Sequence, residues 1–159
     1  MNLWKIYLGL SIKPIITLNK LYKFILLFYF NMNLIIVESP AKCKKIESFL
    51  DKSYKVEATF GHLRQLSSLN DIDDEFNITF QNIKEKFKQI KKLKDLIDKS
   101  SQVIIATDND REGEAIAWHV TQLFNLPINT KRIIFNEITK DAITSALQNP
   151  TTLEDRKST

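Results

Sequence analysis

Four carboxylates crowd into seven residues of the stretch IIATDNDREGEAIAW (residues 104–118): Asp108, Asp110, Glu112 and Glu114. An apolar run precedes them and an apolar-periodic segment follows, so they sit where a strand hands over to a helix. If the backbone at Asp108 and Asp110 is extended, period two sends both side chains the same way. Glu112 and Glu114 then fall in the first helical turn, where the helix dipole offsets about 0.3–1 kcal/mol per charge. One helix end does not offset four charges. Either some carboxyls have raised pKa values or a hard divalent cation binds. Oxygen donors with no His/Cys set favour Mg²⁺ over zinc. The plainer reading is that Asp110 caps the helix and the glutamates decorate an acidic first turn.

A second set of residues turns this cluster into a candidate site. Glu38 ends the apolar run LIIV (34–37), and Lys42 follows four residues later. Ser39 is a good N-cap and Pro40 suits N1, so Lys42 falls at N3 of a capped helix whose buried face is expected at Ala41, Ile46, Phe49 and Leu50. LIIV and QVIIAT (102–107) read as buried strands. YKVEATF (54–60) alternates like a third strand and stops at Gly61. The segment 67–80 is polar and irregular. NIKEKFKQIKKLKDLIDKS (82–100) carries apolar residues at helical spacing, as do residues 112–124. RIIF (132–135) reads as a strand, and TKDAITSALQ (139–148) as a helix with Thr139 at its N-cap. Strands alternating with helices predict an α/β fold, a mostly parallel sheet flanked by helices. In such sheets ligands gather at the carboxyl ends of the strands. Glu38 and Asp108 are both there. An acid, a base and a metal-binding trio at one sheet edge is equipment for phosphoryl transfer.

The totals are compatible with this reading but do not require it. The chain has 159 residues, 43% hydrophobic and 26% charged, enough for one domain with a core. A net charge of +4 suits a polyanionic partner. The single cysteine, Cys43, excludes an internal disulfide and a zinc-knuckle pattern. Residues 1–31 stand apart. Their apolar run LYKFILLFYF (21–30) is interrupted by Lys23 and falls short of the roughly 20 residues that span a bilayer. No small-residue cleavage site follows it, and as a presequence it lacks arginine. Met32 opens MNLIIVESPAK as a natural domain start. The expected organisation is a leader or upstream extension over 1–31, a domain over 32–148 and an irregular tail over 149–159.

IIVESPAKCKKIESFL, ATFGHLRQL, ATDNDREGEAIAWHV and RIIFNEIT together resemble the Toprim domain of bacterial-type (type IA) DNA topoisomerase I. The DxDREGE signature with an upstream Glu is shared with primases and some nucleases; VESPAK and FNEIT are more specific. The resemblance implies a Rossmann-like Toprim fold and Mg²⁺ as cofactor. It implies single-stranded or underwound DNA as partner, with no nucleotide cofactor, and no P-loop is present. By resemblance, Glu38 lies beside the scissile phosphate in acid–base or metal work, and Lys42 assists the leaving 3′ oxygen. Asp108, Asp110 and Glu112 bind the metal with Glu38 nearby. Arg111 touches phosphate in a catalytic or DNA-binding role, and His62 lies near the DNA strand. Asn109 replaces the proline or leucine usual between the two aspartates. A cytoplasmic, nucleoid-associated location follows, or an organellar one if the leader is a presequence.

One departure limits the activity. The family cleaves DNA with a tyrosine from a later domain. This chain has Tyr7, Tyr22, Tyr29 and Tyr54, none of them placed for that role, and ends in the unpatterned TTLEDRKST. It is expected to be an incomplete fragment, inactive in relaxation alone. The alternatives are a stand-alone Toprim nuclease or primase-like protein, and a non-catalytic metal- or DNA-binding remnant. Blander expectations accompany the rest. His119 packs within its helix, the lysines of 84–94 form a solvated face, and Arg111 pairs equally well with its acidic neighbours. Cys43 lies beside Lys42 and Lys44, a setting able to lower a thiol pKa, and is read as incidental. Trp4 and Trp118 form no evident stacking platform.

Overall fold

The computed structural model describes residues 32–66 and 78–153. Four short parallel strands form the central sheet: β1 (Asn33–Val37), β2 (Tyr54–Ala58), β5 (Gln102–Ala106) and β6 (Lys131–Ile133), in the order β2-β1-β5-β6. β1 runs in register with both neighbours, Ile35 opposite Val56 on one side and Ile104 on the other. Helix α1 (Pro40–Phe49) connects β1 to β2, and α3 (Arg111–Leu123) connects β5 to β6. Between β2 and β5 lie an antiparallel pair, β3 (Arg64–Leu66) with β4 (Phe80–Asn82), a 3₁₀ turn (Lys84–Lys86) and α2 (Phe87–Ile97). Helix α4 (Lys140–Gln148) follows β6.

Alternation along each buried strand divides the core in two. Ile35, Val37, Val56, Ala58, Ile104 and Ala106 face Ile46 of α1 and Ile143 of α4. Leu34, Ile36 and Ile105 face Leu93 of α2 and Ile116, Ala117 and Val120 of α3. Both faces are covered, which is why the strands read as unbroken apolar runs. Because the chain winds outward in one direction from β1 to β2 and in the other from β5 to β6, the strand order reverses between β1 and β5. Doubly wound sheets open a crevice at the carboxyl end of such a reversal.

The caps follow the sequence. Ser39 Oγ accepts from the Ala41 N–H with Pro40 at N1, and Thr139 Oγ1 accepts from the Ala142 N–H. Several expectations need correction. Ala41 is exposed rather than part of the buried face of α1. β2 ends at Ala58, because Phe60 takes a left-handed backbone with φ +61°. The helix expected through 82–100 starts with the 3₁₀ turn and becomes α-helical only at Phe87. The chain also remains attached past Gln148: Arg132 and Thr151 exchange N–H···O=C bonds of 2.8 and 2.7 Å. Among the described residues no helix is long and apolar enough to cross a membrane. The apolar run at 21–30 and the tail from 154 lie outside the described residues.

Candidate active site at the sheet reversal

Glu38 and Asp108, 70 residues apart in sequence, meet at the reversal: the Asp108 N–H donates to Glu38 Oε1 at 2.7 Å. Glu38 is the residue after β1, and its carbonyl accepts from the Gly61 N–H at 3.2 Å, which draws in the turn carrying His62. From N3 of α1, Lys42 Nζ reaches Asp108 Oδ1 at 2.5 Å. The geometry therefore brings together Glu38, Lys42 and Asp108, as the spacing suggested.

Each of the four clustered carboxylates has its own neighbouring group. Asp108 holds Lys42. Asp110 has extended backbone and caps α3, accepting from the Gly113 N–H at 2.7 Å. Glu112 Oε1 lies 3.7 Å from His62 Nε2, and Glu114 Oε1 lies 3.7 Å from the guanidinium of Arg132. The helix end alone does not carry the load, and the expectation that Asp108 and Asp110 act as a parallel pair is refined: they engage different partners. Among the described residues, no three His, Cys, Asp or Glu side chains are gathered tightly enough to hold an ion unaided. Arg111, at the first position of α3, is exposed and makes no ion pair among the described residues, so the pairing with acidic neighbours is not seen.

Two residues that the sequence did not single out hold this arrangement. Arg132, on β6, is 1% exposed. Its Nε donates to Thr107 Oγ1 at 3.2 Å and an Nη to the Asp108 carbonyl at 2.9 Å. It thus fixes the turn from both sides of Asp108 while facing Glu114. Gly113 lets α3 close onto that turn. A Cβ there would lie 2.2 Å from the Asp108 carbonyl oxygen and 2.9 Å from its nitrogen. An arginine inside a short strand reads as a solvated edge, and a glycine inside a helix reads as a weak spot; only three-dimensional proximity reveals either role.

His119 is buried against the rings of Phe80, Trp118 and His62, as a packing residue, and burial, then Arg64 and His62, lower its pKa. The Cys43 thiol is pushed up rather than down, by burial and by the nearby carboxylates of Glu57 and Glu47.

The Toprim domain family model matches residues 33–138, spanning every strand and the whole of this site. The chain belongs to the Toprim family. This Toprim domain is 42% identical to DNA topoisomerase 1 of Zymomonas mobilis over 131 residues and 42% identical to DNA topoisomerase 1 of Streptomyces coelicolor over 139. The matches cover 78% and 77% of this chain but only 11% and 15% of those proteins. Full-length topoisomerase I of Thermotoga maritima superposes with a TM-score of 0.70 at 45% identity, covering 78% of this chain and 22% of that one. The mostly parallel sheet and flanking helices of the Toprim fold are as the sequence implied.

Proposed function

We propose that this Toprim domain is the Mg²⁺-binding part of an ATP-independent type IA DNA topoisomerase, acting on single-stranded or underwound DNA in the cytoplasm at the nucleoid. The observation that carries the reading is the junction of Glu38, Lys42 and Asp108 at the reversal between β1 and β5. The donor set suits the metal: Asp108, Asp110 and Glu112 present carboxylates at a partly exposed rim, and Mg²⁺ takes one or two carboxylates while keeping several waters. No closed cage is needed. When bound, the ion would neutralise charge on the phosphate.

The chain's own residues supply the rest. Cleavage would form a bond from a tyrosine oxygen, its proton passing to a base, to phosphorus and break the bond to the 3′ oxygen, which takes up a proton and leaves as a hydroxyl. Lys42 would stabilise that oxygen or give it the proton. Glu38, oriented by the Asp108 N–H, would hold a carboxylate beside the phosphate. His62 and Arg111 border the same rim and would contact the strand. Among the described residues the single tyrosine, Tyr54, begins β2 opposite Asn33, at the far end of the sheet from the site. Isothermal titration of Mn²⁺ or Mg²⁺ is expected to show binding to the unmodified chain and its loss in Asp108→Ala, Asp110→Ala; equal binding in both would overturn the metal assignment. With supercoiled plasmid the chain alone is expected to leave the DNA intact. Metal-dependent nicking would replace this reading with a stand-alone nuclease.

A further inference from the structure

We propose that Phe60 is a stacking platform for a nucleobase of single-stranded DNA, with Lys86 as its companion cation. Resting on the DNA reading above, this adds a base-contacting residue to a rim otherwise equipped for phosphate. Phe60 has φ +61°, a conformation that a bulky L-residue rarely adopts and that glycine adopts freely. Asn125, the other described non-glycine with positive φ, is of a type that tolerates it. Core packing does not account for the aromatic at position 60, since Phe60 is 48% exposed.

The surrounding structure clamps the strained residue in place. The Thr59 N–H donates to the Val37 carbonyl at 2.8 Å and the Gly61 N–H to the Glu38 carbonyl at 3.2 Å. Lys86 Nζ donates to the Phe60 carbonyl and lies 5.9 Å from the ring centroid. The aromatic is therefore fixed to the carboxyl end of β1, one residue after the last bond to that strand and two before His62. Backbone strain held this way clusters at ligand clamps and active sites. An exposed ring beside an ammonium matches the two demands of a single strand, base stacking and phosphate attraction. An apolar protein partner would have no use for the ammonium.

The test is fluorescence anisotropy with a labelled oligothymidylate and an abasic strand of equal length, using the unmodified chain, Phe60→Ala, Phe60→Trp and Phe60→Gly. Stacking of about 1–3 kcal/mol per base corresponds to roughly 5- to 150-fold in affinity. Phe60→Ala should weaken oligothymidylate binding within that range and leave abasic binding unchanged, and Phe60→Trp should restore it. Phe60→Gly should bind as weakly as Phe60→Ala while melting no lower than the unmodified chain. Undiminished oligothymidylate binding by Phe60→Ala, alongside clear binding by the unmodified chain, would overturn the stacking role and leave the DNA reading standing. Absence of single-strand binding by the unmodified chain would overturn both.

Discussion

At the scale of single residues, the site is a balance of charges in which Arg132 has the least replaceable place. Its guanidinium is buried and satisfies the Thr107 hydroxyl and the Asp108 backbone carbonyl at the start of the strand-to-helix turn. Arg132→Met would strip those acceptors of a charged donor. Glu114, more than a third exposed, falls back on water. Hydrogen bonds to charged groups contribute about 1.5–3 kcal/mol each when lost without replacement. Urea denaturation should show a loss of that order for Arg132→Met, with a weakened Mn²⁺ isotherm. Arg132→Lys should recover only part of either, since an ammonium lacks the planar fork that spans both acceptors. A wild-type isotherm in Arg132→Met would show that the turn holds its shape without the cation.

At the scale of elements, α3 approaches the end of β5 more closely than any residue with a side chain would allow. Replacing a helical glycine by alanine ordinarily stabilises by about 1 kcal/mol. At Gly113 the methyl would meet the Asp108 backbone at 2.2 Å, and backbone cannot swing aside as a side chain can. The steric term decides the sign, so Gly113→Ala should destabilise by about 1–3 kcal/mol, as overpacking does. Thermal melting measures this; a raised melting temperature would mean that the helix end is free to shift. The elements themselves were largely legible. Unbroken apolar runs gave β1 and β5, alternation gave β2, helical spacing gave the helices, and Ser39 and Thr139 announced two helix starts. β3 and β4 were not legible, because each has three residues, mostly solvent-facing, and leaves no period to read. Phe60 was read as strand because an apolar residue next to a strand carries no mark of a left-handed backbone. The positions of Glu38 and Lys42 were legible because both lie beside one capped helix start, whereas Arg132 reaches the site only through pairing of β5 with β6.

At the scale of the whole molecule, two buried ionisable groups couple stability to acidity. Glu57 on β2 receives Lys92 at 2.8 Å and the Gln89 amide at 3.0 Å, both from α2. Burial alone would raise its pKa, but these partners outweigh it and the carboxyl titrates below its ordinary value. A depressed carboxyl contributes stability above its unfolded pKa of about 4.3, and that contribution is lost as pH falls through the folded value. His119, held neutral by burial, acts with the same sign from about pH 6.5 downward. Stability followed by urea midpoint should therefore decline on acidification in two stages. The lower stage should shrink in Lys92→Met, and an unchanged lower stage in that variant would remove Glu57 as its source.

The register of β1 also governs how the chain is made. Leu34, Ile35, Ile36 and Val37 are wholly buried and lie between β2 and β5, yet they are synthesised before either neighbour. Their partner across the reversal follows about 70 residues later. At roughly 5–20 residues per second, the ribosome takes about 4–14 s to deliver it. For that interval an apolar strand lacks one of its two neighbours, and the site at its end does not exist. The two carboxylates that define the site come together only when the last central strand arrives, so a chain interrupted before Ala106 would expose an unpaired strand edge and offer no place for a metal ion.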